Sequence, residues 1–370
     1  MAETLRPFRP VSPGEILQEE LGAREWTQSD LAEILDRPIQ AVNEIITGKK
    51  AVTPATAVEL ARALGTSAEF WLNLEASYRL DLLHQEVQDD GGISRRAKAY
   101  SRVPVKELAK CGWIKKSKDV DAMEREICRL LEIKSLDEQP QLAVAARKSD
   151  PYDEFSPSQV AWICRARQLA RGIKVKRFDR RRFSIEVAKL PRLSVGHDGV
   201  TDVPEALSRL GIRLVIVEHL SQTYIDGAAF WLDATSPVVA LSLRYDRIDY
   251  FWFTLMHELA HIKQDGKRAG YLDNNLVGPS AEDRSEKPKE EQEADELSAG
   301  WLIPHNEFDT FILRTRPYYS KKAILEFADE VGVHPGIIVG RLQHLEEIPY
   351  SHSRGMLVKV KKTLLRRLAS

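Results

Sequence analysis

Cysteine is scarce in this sequence, which contains only Cys111, Cys128 and Cys164 among its 370 residues. The number is odd and the spacing is wide, so the chain has neither a disulfide framework nor a CxxC pair that could hold a metal. We therefore expect all three residues to be buried free thiols.

Long apolar runs and an excess of positive charge are also missing. No run of eighteen apolar residues occurs, and the N-terminal MAETLRPFRP lacks the apolar core of a signal peptide. These absences exclude a membrane partner and predict a cytoplasmic protein. The net charge of −1 excludes a global affinity for nucleic acid, so any DNA binding must be local. With 43% hydrophobic and 29% charged residues, the chain is expected to be globular, with two or three domains.

The stretch FWFTLMHELAHIKQD, residues 251–265, contains an HExxH motif. In a helix, His257 and His261 stand four residues apart and project from one face, with Glu258 beside them. Two neutral imidazoles and a third protein ligand could hold Zn²⁺, and Glu258 is then the candidate general base. The alternative is a core helix that carries two histidines by chance.

A third ligand is not supplied by the same helix. Gln264 and Lys267 stand where a metzincin has glycine and its third histidine, so that class is excluded. The segment EEQEADELSAGWLIP, residues 290–304, predicts a second helix in which Glu291 and Asp295 share a face with Ala294, Ser298 and Leu302. We predict Glu291 as the third ligand and Asp295 as a carboxylate that orients a ligating histidine. The alternative for Glu291 is an ordinary solvated acidic helix start.

These two segments resemble the ImmA/IrrE metallopeptidases. The resemblance rests on HELAH followed by E-x-x-A-[ND]-x-x-[AS]-x-x-x-L-x-P, and covers about residues 190–343. It implies a gluzincin-like zinc endopeptidase that cleaves repressor proteins in the cytoplasm. Leu297 stands where the family usually has Phe, and Trp301 where it has Leu, which alters packing more than chemistry.

The N-terminal region predicts a helix-turn-helix. Ser12 and Glu15 form an S-x-x-E helix start, Thr27 caps a second helix with Leu31, Ile34 and Leu35 facing inward, and Ile39 to Thr47 form a third. The second helix of such a pair enters the major groove of DNA.

On the third helix, the apolar positions Ile39, Val42, Ile45 and Ile46 leave Gln40 and Asn43 on the outer face. Gln and Asn can read adenine edges, and Lys49 and Lys50 could hold phosphates. Residues 1–83 nevertheless contain eight Lys or Arg against thirteen Asp or Glu, a net of −5. Binding is therefore expected to be weak or to need a dimer, and the alternative is a helical bundle with no DNA partner.

The segment RPIQAVNEIITGKKAVTPATAVELARALGTSAEFWLNLEASYRL, residues 37–80, is similar to the helix-turn-helix domains of HigA-type antitoxins in the Cro/C1 repressor class. The resemblance implies that Gln28, Gln40, Asn43 and Lys49 lie near operator DNA, and that Phe70, Trp71 and Leu74 pack the closing helices. It also implies a homodimer and a possible toxin partner.

The whole chain is predicted to be mainly α with a small β-sheet. It joins an N-terminal all-α helix-turn-helix domain to a C-terminal zincin-like metallopeptidase domain. The expected divisions are a DNA-binding domain over 1–83, a linker over 84–94, a helical middle region over 95–189, a metallopeptidase domain over 190–350, and a basic C-terminal tail over 351–370. The tail could equally be a docking helix or a frayed end.

Other segments carry further predictions. Strands are expected over 211–217, 228–232 and 238–243, and AAFWL (228–232) is a candidate edge strand for an extended substrate; the alternative is a strand paired on both sides. His334, Arg341 and His344 could stabilise an oxyanion, and the alternative for each is a structural role. The basic stretch over 174–182 favours a solvated surface, with an acidic partner or DNA as alternatives.

Two functions fit the sequence. The first is a DNA-binding regulator with a zinc endopeptidase domain that cuts another protein, with a repressor as the expected substrate. The second is a HigA-like antitoxin or repressor whose C-terminal domain senses a ligand or binds a partner without cutting.

Overall fold

The computed structural model describes residues 10–86, 92–140, 142, 155–196, 198–264, 271–274 and 289–369. The chain divides into two compact units, with the division between Ser94 and Arg95. Among the described residues, no helix combines the length and the apolar character that a membrane crossing requires.

The N-terminal unit is a bundle of helices. These are α1 (Pro13–Ala23), α2 (Gln28–Ile34), α3 (Ile39–Ile46), α4 (Pro54–Leu64) and α5 (Ala68–Glu86). Both predicted starts form capping boxes, Ser12 with Glu15 on α1 and Thr27 with Asp30 on α2. The helices pack around Trp71, Leu17, Leu31 and Leu60, which are all fully buried. The predicted helix-turn-helix is therefore present as α2 and α3.

Two apolar side chains of this unit do not point inward as predicted. Ile34 is 49% exposed and Ile39 is 53% exposed. Ile34 ends α2, and the buried stripe of that short helix runs through Leu31 and Ala32 instead. Phe70 likewise remains 42% exposed, although its ring packs edge-on against the buried Trp71.

The C-terminal unit surrounds a small sheet with helices. Before the sheet lie α6 (Ile93–Arg102, which begins at the division), α7 (Val105–Lys110), α8 (Val120–Leu131), α9 (Pro157–Gly172), α10 (Arg180–Val187) and α11 (Val203–Leu210). The strands are β1 (Arg213–Ile216), β2 (Ile225–Trp231), β3 (Pro237–Leu241) and β4 (Tyr271–Asn274). The remaining helices are α12 (Ile248–Gln264), α13 (Lys289–Leu302), α14 (His305–Thr315), α15 (Lys321–Val331), α16 (Pro335–His344) and α17 (Lys361–Ala369).

The sheet has the order β1-β3-β2-β4, with β1 and β3 parallel and the other pairs antiparallel. The segment AAFWL belongs largely to β2, which is paired on both sides. The edge-strand interpretation is therefore wrong for Ala228 and Ala229, which pair with both β3 and β4, whereas Phe230 and Trp231 pair with β3 alone among the described strands. Edge addition requires unpaired backbone groups, and the first part of β2, up to Ala229, has both of its edges paired in the sheet.

Alternate residues of the strands enter two different cores. Leu214 and Val239 face the core that contains α12, whereas Val215 and Val238 face α8 and α9. Because successive side chains of a strand point to opposite faces, the sheet is covered by a core on each face. The expected middle region (95–189) and metallopeptidase domain (190–350) form one compact unit in the structure, because the sheet shares a core with the helices of both.

The segment predicted to be a basic tail is attached to the core. Val360 is 2% exposed and Leu364 is fully buried. Asp246, just before α12, accepts hydrogen bonds from the backbone N–H groups of Val360 (2.9 Å) and Lys361 (2.8 Å). Its carboxylate thus satisfies donors at the start of α17. The prediction of a mainly helical chain with a small sheet is confirmed.

Candidate metal centre

Helix α12 places the two motif histidines inside the protein. Its apolar residues Trp252, Leu255 and Leu259 are fully buried, so the helix lies within the core. His257 and His261 are fully buried on one face, and their Nε2 atoms lie 2.9 Å apart. Two ring nitrogens are thus aimed at the same point in space.

Helix α13 packs against α12 and brings Glu291 to that point. Its Oε2 lies 3.3 Å from Nε2 of His257 and 3.5 Å from Nε2 of His261. These three side chains form a group of candidate metal ligands. A tetrahedral zinc with bonds of about 2.0–2.1 Å places its ligand atoms about 3.3 Å apart, so both the spacing and the donor types fit zinc.

Asp295 lies one turn beyond Glu291 and contacts the other side of the first histidine. Its Oδ1 is 3.0 Å from Nδ1 of His257. A carboxylate in this position fixes the tautomer and the orientation of the ring, so that Nε2 keeps its lone pair for a metal. The structure thus brings together all four residues that the sequence analysis grouped here, and their roles stay predictions.

Glu258 is fully buried and lies between α12 and the sheet. A Cβ built on Gly227 of β2 would stand 2.2 Å from Oε1 of Glu258 and 2.8 Å from Cγ2 of Thr254. The strand therefore approaches the carboxylate so closely that only a hydrogen fits. The sequence analysis did not identify Gly227. The signal that could have found it is a glycine inside a strand pattern, which indicates a close approach of another group to the strand backbone.

A cavity of about 420 Å³ opens beside the ligand group, between α12, α13 and α16. Phe253 forms part of its wall, with its ring centroid 6.1 Å from that of His257 and 6.4 Å from that of His344. Asp295 also lines it. The other walls are largely apolar and include Ala299, Leu302, Ile303, Ile337 and Leu345.

The three residues that could stabilise an oxyanion, His334, Arg341 and His344, have different positions. His334 caps α16, and its Nδ1 accepts from the N–H of Gly336 at 3.0 Å. Arg341 donates to the carbonyls of Ala299 (3.1 Å) and Ile303 (2.9 Å), and burial lowers its pKa to about 10. His334 therefore has a structural role, whereas Arg341 and His344 both line the cavity.

In the N-terminal unit, the predicted DNA-contacting residues cluster around α3. Gln40, Asn43, Lys49 and Lys50 are exposed, and Gln28 is half-buried. Asn43 Nδ2 donates to Gln28 Oε1 at 3.1 Å, so the two amides hold each other in place. Such a pair presents an ordered polar edge at α3, the predicted recognition helix.

Comparisons with known proteins match both units. Residues 17–71 match a helix-turn-helix family model, and residues 207–343 match one described as the IrrE N-terminal-like domain. An uncharacterized HTH-type transcriptional regulator of Haemophilus influenzae is 44% identical over 75 residues, which cover 20% of this chain and 68% of that protein. Antitoxin HigA-1 of Vibrio cholerae is 41% identical over 68 residues, which cover 18% of this chain and 64% of that protein.

A solved structure, the Pseudomonas aeruginosa antitoxin HigA with the higBA promoter, is 34% identical and covers 21% of this chain and 86% of that chain, with a TM-score of 0.21. The family models and the curated relatives confirm the two resemblances found in the sequence. Through its N-terminal unit the chain belongs to the helix-turn-helix transcriptional regulators with HigA-like relatives, and its C-terminal unit carries an IrrE N-terminal-like domain.

Proposed function

We propose that this protein is a cytoplasmic DNA-binding regulator whose C-terminal unit is a zinc-dependent endopeptidase that cleaves a regulatory protein, with a repressor as the expected substrate. The observation that carries the proposal is the convergence of His257 Nε2, His261 Nε2 and Glu291 Oε2 within 3.5 Å of one another, together with the fully buried Glu258, which directly follows His257 on α12.

The three donors would hold zinc, which lowers the pKa of water towards neutrality and polarises the peptide carbonyl. Asp295 orients His257 through its Nδ1. Glu258 takes the proton of the attacking water and passes it to the leaving amine. Burial of Glu258 against Gly227 holds the carboxylate in one position, which favours proton transfer along a single path.

The cavity beside Phe253 would accept an apolar side chain of the cleaved segment. Its volume of about 420 Å³ lies within the usual range of binding pockets, and its walls are largely apolar. A substrate side chain seated there would lie one helical turn of α12 away from His257.

The N-terminal unit would bind operator DNA in the major groove. Gln28, Gln40 and Asn43 would contact base edges, and Lys49 and Lys50 would contact phosphates. A homodimer would double these contacts, which a domain with net charge −5 needs for stable binding. DNA binding would also raise the concentration of the peptidase near a promoter-bound substrate.

The test combines zinc analysis with mapping of cleavage sites. Zinc per chain would be measured for the wild type and for His257→Ala, Glu291→Ala and Glu258→Gln. We expect one zinc in the wild type and in Glu258→Gln, and loss in the other two. Newly formed protein N-termini would then be compared between cells that produce the wild type and cells that produce Glu258→Gln.

Cleavage that depends on Glu258 supports the proposal. Absence of zinc after careful metal loading contradicts the metallopeptidase part and leaves the DNA-binding part to be tested by itself.

A second candidate function is a HigA-like antitoxin or repressor with a non-cleaving C-terminal unit. The similarity of the N-terminal unit to antitoxin HigA-1 favours it. It predicts a toxin partner, promoter binding without any metal requirement, and identical behaviour of the wild type and Glu258→Gln. Copurification of a toxin with both proteins, together with unchanged cellular N-termini, would favour this candidate.

A further inference from the structure

A row of exposed cations runs along the C-terminal unit between α9 and the first turn of α10. It consists of Lys174, Lys176, Arg177, Arg180, Arg181 and Arg182, and is referred to below as the basic strip. All six residues are exposed, and none of them forms an ion pair with any other residue that the structure describes. The cations on either side are paired, Arg171 with Glu132 and Lys189 with Glu186.

The only acidic residue within the strip is Asp179, and its carboxylate is already engaged. Asp179 caps α10, where its Oδ1 accepts from the N–H groups of Arg181 (3.0 Å) and Arg182 (3.3 Å). The strip therefore contains six positive charges and one negative charge in nine residues. Within the described part of the chain no acidic side chain pairs with these six cations, which leaves them open to an anionic partner.

The backbone of the strip is held against the folded core. The N–H of Lys176 donates to Ser208 O (3.2 Å), and the N–H of Asp179 donates to Leu210 O (3.4 Å). Gly211 packs so tightly that a Cβ there would stand 2.4 Å from the nitrogen of Phe178.

The side chain of Phe178 is also anchored. Its ring makes edge contacts with Phe183 (5.7 Å) and Trp231 (5.4 Å). The cations are thus presented by a fixed backbone, which reduces the entropy that is lost when they bind a partner.

We propose that the basic strip binds the phosphate backbone of duplex DNA. The inference rests on the DNA-binding function proposed for the N-terminal unit. That unit has a net charge of −5 over residues 1–83, although affinity for DNA comes largely from neutralised phosphates. The strip supplies the missing positive charge from another part of the same chain. Four of its six cations are arginines, whose planar forks suit phosphate oxygens.

The test measures how the affinity of the full-length protein for a mixed-sequence 30-base-pair duplex depends on salt. Fluorescence anisotropy would give Kd over a series of NaCl concentrations. Each lost phosphate contact lowers the slope of log Kd against log salt by about 0.9, so Arg180→Gln/Arg181→Gln/Arg182→Gln is expected to lower it by up to about 3. The variant Lys174→Gln/Lys176→Gln/Arg177→Gln, which leaves α10 unchanged, is also expected to lower this slope.

The matched control is Lys115→Gln/Lys116→Gln/Lys118→Gln, which removes three exposed cations elsewhere in the same unit and is expected to leave the slope unchanged. Lys49→Gln/Lys50→Gln tests the N-terminal unit separately. If only this last variant weakens binding, the strip proposal is wrong and the N-terminal function stands. If the strip variants lose affinity for polyglutamate and keep their affinity for DNA, the strip binds an acidic protein and the proposal is also wrong.

Discussion

Gly227 of β2 and Glu258 of α12 lie in direct contact, and a Cβ on the glycine would stand 2.2 Å from the carboxylate oxygen Oε1. The strand and the helix can approach this closely because the glycine has no side chain. The position of Glu258, the candidate general base, therefore depends on Gly227, a residue of the sheet with no reactive side chain.

Gly227→Ala is expected to displace the Glu258 carboxylate and to abolish cleavage while the zinc content is retained. The extra methyl group also overpacks the interface, which should lower the free energy of unfolding by about 1–3 kcal/mol. Denaturant unfolding, zinc analysis and mapping of cellular N-termini would measure these effects. Gly22→Ala on α1 is the control, because a Cβ there has no neighbour within 4 Å. Full cleavage by Gly227→Ala would contradict the assigned position of the base.

Asp295→Asn is expected to weaken zinc binding about 10- to 100-fold, because an amide orients the His257 ring less well than a carboxylate 3.0 Å from Nδ1. Competition with a chromophoric chelator would measure the zinc affinity. Glu293→Gln removes an exposed carboxylate from the same helix and should leave this affinity unchanged. Equal affinities for the two variants would argue against the contact between Asp295 and His257.

Leu364→Ala tests whether the C-terminal helix belongs to the core. Leu364 is fully buried, so its truncation is expected to cost about 2–5 kcal/mol of unfolding free energy. The neighbouring Leu365 is 40% exposed, and Leu365→Ala should change stability by about 0.5 kcal/mol or less. Chemical denaturation of both variants would show the difference. Similar stabilities would indicate that α17 does not pack in solution as it does here.

The contribution of the Glu347 carboxyl group to the stability of the fold is expected to depend on pH. The hydrogen bond from the Tyr319 hydroxyl (2.7 Å) and that from Arg316 Nε (3.0 Å) hold the pKa of this carboxyl below its ordinary value of 4.5. A lowered pKa means that the charged form stabilises the fold above pH 4.5, and that this contribution is lost as the pH falls through the folded-state pKa.

Glu347→Gln should therefore be less stable than the wild type at pH 7, by about 1 kcal/mol, and nearly equal to it at low pH. Unfolding midpoints measured from pH 7 down to pH 3 would show this convergence. A difference that stays constant over that range would mean that the charge of Glu347 is not responsible.

Local features of this protein could be read directly from the sequence. The four-residue spacing of His257 and His261 requires a shared face in any helix, and the S-x-x-E pattern at Ser12 specifies a helix start. Both depend only on residues within one or two helical turns. The grouping of Glu291 with Asp295 on α13 followed from the same periodicity.

The sequence was misleading or undecided mainly where the partners of a residue are distant in the chain. Whether β2 is an edge strand depends on β3 and β4, and whether Leu364 is buried depends on what α17 packs against. Ile34 and Ile39 were misplaced because a short helix has too few turns for its apolar stripe to be unambiguous.

The sequence by itself thus determined the identity of the candidate ligands, the helices that carry them and the two family resemblances, because these depend on short-range periodicity and on motifs. Only the tertiary structure decided that Glu291 reaches the two histidines, that Gly227 lies against Glu258, and that helices before the sheet share its core. Those relationships depend on how separate elements pack, and packing is set by the complementary shapes of surfaces that are far apart in the chain.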